Sequence, residues 1–127
     1  GPVLTYSAYE ERMINGLIDR FPDLSEPLRG IVNRLTDLLP VVRENYYHPQ
    51  MRGSWSIKAL LPTIGSELDY QNLEEIQDGA QASAGYLEAI DPATPAERKA
   101  ELKTRLLDYC RQDTLAMVHV LRFLATA

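Results

Sequence analysis

An acidic side chain interrupts the apolar stripe that the sequence predicts for its last helix. From residue 106 onward, side chains three or four positions apart fall on one face of an α-helix. Asp113 occupies a position on that face where an apolar residue is expected. The stripe consists of Leu106, Tyr109, Asp113, Met117, Val120 and Leu124.

A carboxylate at this position needs a partner, because an unpaired buried carboxylate costs several kcal/mol. A salt bridge to a nearby arginine would supply one, and a rotation of the helix would instead expose Asp113 to water. A divalent metal ion is the third possibility, since an aspartate on a rigid helix is a suitable hard oxygen ligand. The pattern leaves these three possibilities open.

Two further acids follow candidate β-strands. Glu10 comes shortly after the apolar segment 3–6, and Asp37 ends a second candidate strand or turn at residues 35–37. Ligands bind at the carboxyl ends of parallel strands, so acids at these positions suit an active site. Each acid also has a structural alternative: Glu10 can interact with a helix dipole, and Asp37 can cap the helix that follows.

Hydrophobic periodicity predicts four to six helices with one or two short strands. Segment 3–6 is apolar on both faces, as strands of parallel sheets are, and it requires a neighbouring strand. We therefore expect residues 1–127 to form a single domain that is the C-terminal half of a larger one. The predicted helices lie at 8–21 before Pro22, from an N-cap at Ser25, up to about Tyr46, from Ser56 to Gly65, at 80–90 and at 96–124.

Composition restricts the class of protein. The chain has 127 residues, 45% of them hydrophobic, which is enough for one domain with a core. Its net charge of −5 excludes a general positive field for nucleic acid. The sequence has no run long enough for a transmembrane helix. The single cysteine, Cys110, excludes an internal disulfide and favours a cytoplasmic location; we expect it to be a small buried apolar residue, and His119 to face solvent.

One local stretch combines basic and aromatic side chains. Single-stranded nucleic acid is bound by such mixtures, because cations contact phosphates and rings stack on bases. The alternative is that the rings belong to the core and the cations to a solvated rim. The stretch contains Arg43, Tyr46, Tyr47, His48, Arg52, Trp55 and Lys58.

Several segments carry a resemblance to known families. "YCRQD", which contains Tyr109 and Asp113, resembles the third motif of the tyrosine subtype of DEDD 3′–5′ exonucleases in the ribonuclease H-like superfamily. "VLTYSAYEERMI", with Glu10, resembles the second motif, and "LTDLLPVVR", with Asp37, the strand that follows. More closely, "DLLPVVRENYYHPQMRGSWSIKALLP" and "IQDGAQAS" resemble the bacterial domain-of-unknown-function family 2779.

The resemblance implies the C-terminal part of an α/β ribonuclease H-like exonuclease fold that hydrolyses phosphodiesters with Mg²⁺ or Mn²⁺. Asp113 and Glu10 would be metal ligands, and Tyr109 would orient the attacking water. The first motif, an Asp-x-Glu on an upstream strand, is absent, so we expect this chain to be inactive without the upstream half of the same protein. Asp37 would lie beside the site.

The expected substrate is DNA or RNA, with single strands favoured. The sequence departs from the family pattern at Glu10, where aspartate is usual, and this departure leaves an alternative. The chain would then be a non-catalytic module that binds nucleic acid or protein and has a degenerate metal site. The residues expected to contact nucleic acid are Tyr47, Arg52, Trp55 and Lys58.

Overall fold

The computed structural model describes residues 1–126, which divide after Ile57 into two compact units. The described chain is mainly helical and contains one small two-stranded parallel sheet, as the sequence predicts. None of the helices within residues 1–126 is long and apolar enough to cross a membrane.

The first unit is built around the parallel pair of strands. Strands β1 and β2 pair in the register Val3↔Leu35 to Thr5↔Asp37. Parallel strands require a long crossover connection, and two helices supply it here. The elements are β1 (Val3–Thr5), α1 (Tyr9–Arg20), α2 (Ser25–Val32), β2 (Leu35–Asp37) and α3 (Leu38–Asn45), with short 3₁₀ turns at Pro22–Leu24 and Pro49–Met51.

The predicted N-cap at Ser25 is wrong. The backbone of Ser25 is already helical, with φ −61° and ψ −41°. The preceding 3₁₀ turn runs directly into α2, so Leu24 occupies the N-cap position and makes no side-chain capping hydrogen bond. Pro22 explains this geometry, because a fixed φ favours the first residue of a helical turn.

Two hydrogen bonds hold Trp55, which lies in the segment after α3. The Tyr6 hydroxyl donates to the carbonyl oxygen of Trp55 at 2.8 Å. The indole N–H of Trp55 donates to the carbonyl oxygen of Tyr46 at 3.0 Å. Trp55 is thus fixed at both its backbone and its ring, which removes most of its rotational freedom.

The second unit consists of short turns packed with two long helices. Its helices are α4 (Ile57–Leu60), α5 (Gly79–Ile90) and α6 (Ala96–Thr126), with 3₁₀ turns at Leu61–Ile64 and Tyr70–Asn72. Gly65 ends the first of these turns with a left-handed φ of 73°, as its predicted stop signal requires. Asp78 caps α5 by accepting a hydrogen bond from the Gln81 N–H at 2.8 Å.

Close packing beside α5 depends on the absence of a side chain at Gly85. A Cβ atom added there would lie 2.9 Å from Cδ1 of Ile76 and 3.6 Å from Cδ2 of Leu102. Ile76 and Leu102 are both fully buried, each 1% exposed. Interiors packed at this density leave little room for either neighbour to move.

Several acidic residues in the segment before α6 form an ion-pair network with that helix. Arg98 at the start of α6 forms ion pairs with Glu75 and Glu88, and Arg105 forms one with Glu74. The Arg98 guanidinium holds the pKa of Glu75 below its ordinary value. These glutamates therefore join the turn before α5, and α5 itself, to α6.

We predict that Gly85→Val lowers the free energy of unfolding by about 1–3 kcal/mol, the usual cost of overpacking a core. Gly16→Val is the matched control, since nothing lies within 4 Å of a Cβ added at this position in α1. It should stabilise the protein by a few tenths of a kcal/mol, because valine has a better helix propensity than glycine. Urea unfolding measures both, and equal effects at the two sites would contradict the packing argument.

Candidate functional site

Asp113 receives its partner from a tyrosine. Its side chain is half-buried on α6, and its Oδ1 accepts a hydrogen bond from the Tyr70 hydroxyl at 2.6 Å. That distance is typical of a charge-assisted O–H···O⁻ bond. Within residues 1–126, Asp113 forms no salt bridge with an arginine, and the helix is not rotated to expose it fully. Neither the salt bridge nor the helix rotation considered from the sequence is present, and the partner of Asp113 is the Tyr70 hydroxyl.

Tyr70 contacts three polar or charged side chains, those of Asp113, Tyr109 and Lys58. The ring of Tyr109, one turn before Asp113, meets the Tyr70 ring edge-on at a centroid distance of 6.0 Å. The Lys58 ammonium lies 4.9 Å from the centre of the same ring and donates a hydrogen bond to the Gln77 carbonyl oxygen. The sequence predicts that Lys58 contacts nucleic acid, whereas in the structure its ammonium contacts a ring and a carbonyl oxygen of the second unit.

Both phenols of this cluster stay protonated well above neutral pH. Burial, and next the hydrogen bond to Asp113, raise the pKa of Tyr70 far above its ordinary value. Burial, and next the negative charge of Asp113, raise the pKa of Tyr109. At pH 7 both side chains are neutral hydrogen-bond donors, so Tyr109 can orient a water molecule but cannot act as a base.

The turns beside Tyr70 border a half-open cavity of about 360 Å³ with both polar and apolar lining residues. Ser66, which lines it, lies 3.1 Å from Nδ1 of His119, within hydrogen-bond distance. His119 is half-buried, so the prediction that it faces solvent is wrong, because the turn after Gly65 covers that part of α6. The prediction for Cys110 is also wrong: its thiol is exposed, on a different face of the helix.

Glu10 and Asp37 lie in the first unit, and each has the structural role that the sequence left open. Glu10 is exposed in the first turn of α1, where a helix dipole favours an acid. Asp37 caps α3 by accepting a hydrogen bond from the Leu39 N–H at 2.9 Å. It also ends β2 opposite Thr5, so it lies at the carboxyl end of the parallel pair.

The residues of this chain do not by themselves fit a two-metal centre. Among residues 1–126, no three His, Cys, Asp or Glu side chains are grouped so that they could hold a metal ion. Around Asp113 the neighbouring groups are phenols, which are weaker ligands for Mg²⁺ or Mn²⁺ than carboxylates. Any such ion would need further carboxylate ligands from elsewhere.

A cation and two aromatic rings lie together in the first unit. The rings of Tyr47 and Trp55 are 5.8 Å apart at a 47° angle, and the Arg43 guanidinium is 5.8 Å from the Trp55 ring centre. Tyr47 is 55% exposed, whereas Trp55 is half-buried. Arg52 is exposed at a left-handed φ of 51° in the turn before Trp55. The Trp55 ring thus lies partly in the core, as one alternative predicts, and the Tyr47 ring lies at the surface, as nucleic-acid binding requires.

Tyr70 is the residue that the sequence does not single out. It lies 43 positions before Asp113, in a short turn begun by Asp69, whose carboxylate caps the Gln71 N–H. Neither helical nor strand periodicity extends through that turn. A tyrosine in such a segment carries no signal of its own until the fold brings it to α6.

Comparison with known proteins bears on the first unit. The model of the family described as Domain of unknown function (DUF2779) matches residues 1–56. The match includes Glu10, Asp37 and the Arg43–Tyr47–Trp55 group, and it supports the resemblance to that family over those residues. No curated protein and no solved structure matches the chain.

We predict that the protein loses stability as the pH rises above about 10, the ordinary pKa of tyrosine. Burial, and next the charge of Asp37, raise the pKa of Tyr6 to about 12, and the pKa of Tyr70 is raised too. Unfolded phenols therefore release protons first, so the stabilisation is complete below about pH 10 and declines as the pH approaches the folded-state pKa.

Urea unfolding at a series of alkaline pH values measures this loss, and Tyr70→Phe should reduce it. Tyr86→Phe is the matched control, because Tyr86 is 57% exposed. Ultraviolet absorbance should show the phenols of Tyr6 and Tyr70 ionising after the exposed ones in the folded protein. A single transition for all tyrosines near their ordinary pKa would contradict the argument.

Proposed function

We propose that this chain is the C-terminal part of a metal-dependent, 3′–5′ exonuclease-like phosphodiester hydrolase domain and is inactive alone. The observation that carries the proposal is the state of Asp113 on the apolar face of α6. A salt bridge would cancel the charge of this carboxylate, whereas the Tyr70 hydroxyl positions it and leaves its negative charge available. A purely structural helix gains nothing from a half-buried charge on its apolar face.

Each group at α6 has a role in this proposal. Asp113 is a proposed ligand of Mg²⁺ or Mn²⁺. Tyr109, neutral at pH 7, donates or accepts a hydrogen bond that orients water, and Tyr70 positions Asp113. Asp113 would hold such an ion, which would supply activation of water and stabilisation of charge on the phosphate.

Unpartnered apolar surface in the first unit supports the upstream half of the same protein as the supplier of the remaining ligands. On α1, Tyr9, Met13 and Leu17 recur every four residues and are 44–55% exposed. Phe21 and Leu24 continue this surface, at 45% and 52% exposure. Exposed stripes of this size usually mark an interface, and a two-stranded parallel sheet is marginal without further strands.

We predict that the complete product of the gene degrades labelled single-stranded DNA or RNA with Mn²⁺, and that this 127-residue chain does not. Asp113→Asn should abolish the activity, because it removes the negative charge while keeping the size of the side chain. Tyr70→Phe should lower the activity about 10- to 100-fold, as loss of a group that orients a metal ligand does. Asp108→Asn, an exposed acid on the same helix, is the control and should have no effect.

Each result bears on a separate part of this proposal. An inert complete protein, or full activity in the Asp113→Asn variant, would exclude hydrolysis at this site. Degradation by the 127-residue chain itself would exclude the dependence on upstream residues. Equal losses in Asp113→Asn and Asp108→Asn would indicate a general effect of charge rather than a role at the reaction centre.

A second function, the binding of single-stranded nucleic acid, is favoured by the Arg43–Tyr47–Trp55 group, in which Arg43 and Tyr47 are exposed. A net charge of −5 makes any such contact local, and this group offers a cation beside two rings. Hydrogen bonds already fix Trp55 in the free protein. A base that stacks beside it would therefore cost the Trp55 side chain little further entropy. Arg52 adds a second exposed cation within the same stretch.

We predict that Tyr47→Ala weakens binding of a labelled single-stranded oligonucleotide about tenfold, the typical cost of one lost base stack. Arg52→Ala should weaken it by less and reduce its salt dependence, because Arg52 would contact a phosphate. Fluorescence anisotropy at two salt concentrations measures both effects. Tyr86→Ala, which removes an equally exposed ring from α5, should leave binding unchanged; an equal loss there would contradict the assignment.

A further inference from the structure

An open apolar groove of about 380 Å³ runs between α5 and α6 in the second unit. Its apolar surface comes from both helices. Tyr86 is 57% exposed and Leu107 is 60% exposed, so the groove is open to solvent rather than enclosed. Its apolar lining consists of Tyr86, Ala89, Leu106 and Leu107, with Cys110 at one end.

The apolar surface continues along the outer face of α5. Tyr86, Leu87 and Ile90 lie within one turn of each other on this face, and all three are exposed. A face of this kind normally packs against another helix. The outer face of α5 and the groove together present a surface of the shape that a helix occupies.

The charges at the groove are positive, in a chain whose net charge is negative. Its charged lining residues are Lys99 and Lys103. Arg98 and Arg105, on the same helix, are paired with glutamates, whereas within residues 1–126 neither lysine forms an ion pair. The complementary surface is therefore apolar and acidic.

These properties select one kind of occupant. A fatty acid requires a pocket that buries most of its chain, and the exposure of Tyr86 and Leu107 shows that this groove does not. A second copy docked by the same groove would bring the unpaired Lys99 and Lys103 of both copies together, which electrostatic repulsion disfavours. A helix with an apolar stripe flanked by carboxylates fits the open groove, and its carboxylates can pair with the two lysines.

We propose that the α5–α6 groove is a docking site for an acidic amphipathic helix of a partner protein. The apolar stripe of that helix packs on Tyr86 and Leu107, and its flanking carboxylates pair with Lys99 and Lys103. Docking at this surface is independent of the Asp113 site, because none of the groove residues belongs to the Tyr70–Asp113–Tyr109 cluster.

Fluorescence anisotropy with two synthetic peptides of about 16 residues tests the proposal; that length is near the minimum for appreciable helicity. Both peptides carry leucine at i, i+3, i+4 and i+7. One has glutamates beside the leucines and the other has lysines at the same positions. The acidic peptide should bind this chain at least about tenfold more tightly than the basic one, and Lys99→Glu with Lys103→Glu should reverse that preference.

Leu107→Asp should weaken binding of the acidic peptide by at least about tenfold, since it puts a charge in the centre of the apolar surface. Leu121→Asp is the matched control, a 42% exposed leucine on the same helix outside the groove, and should leave binding unchanged. Circular dichroism checks that both variants keep their helices. If Leu107→Asp unfolds, Tyr86→Ala provides the same test from α5.

Four results would overturn the proposal. Equal binding of the acidic and basic peptides would show that the groove does not select a helix by its charge, and equal losses in the Leu107→Asp and Leu121→Asp variants would show that the peptide does not bind in the groove. Sedimentation that reveals a dimer dissociated by Leu107→Asp would assign the surface to a second copy of this chain. Binding to anionic lipid vesicles that depends on the two lysines, without binding of the acidic peptide, would assign it to a membrane surface.

Discussion

The hydrogen bond from Tyr70 to Asp113 is the constraint on which the arrangement of the second unit depends. A carboxylate on the apolar face of a helix is tolerated only where a donor reaches it, and here the donor comes from a turn 43 residues earlier. The same tyrosine ring contacts Tyr109 and lies under the Lys58 ammonium. One phenol therefore fixes an acid, an aromatic ring and a cation relative to each other.

The elements could be predicted from the sequence because their signals are local. Helical apolar spacing, Pro22 and Gly65 define the ends of α1 and of the turn after α4 correctly, and the long α6 follows from the helical spacing of its apolar residues. The partner of Asp113 could not be predicted in this way. Tyr70 lies in a segment without periodicity, and only the tertiary fold brings it within hydrogen-bond distance.

The predictions that were wrong at single residues failed for the same reason, because neighbouring segments of the fold decide the outcome. Ser25 has the right chemistry for an N-cap, but the 3₁₀ turn that starts at Pro22 extends the helical backbone past it. The sequence predicts that His119 faces solvent, yet the segment after Gly65 brings Ser66 to it. At Asp37 one carboxylate ends a strand and caps a helix, so a structural role and a place at a strand end coexist.

The position of Trp55 has a spectroscopic consequence. It is the only tryptophan of the chain, and it lies in the first unit, where its ring is 5.8 Å from that of Tyr47. Its emission therefore reports on residues 1–57, and energy transfer from Tyr47 adds to the signal while that unit is folded. The second unit contains tyrosines but no tryptophan, and four of the seven tyrosines lie in the first unit. Tryptophan emission thus follows the first unit alone and tyrosine absorbance follows both, so the two signals compared in one sample show whether the units unfold together.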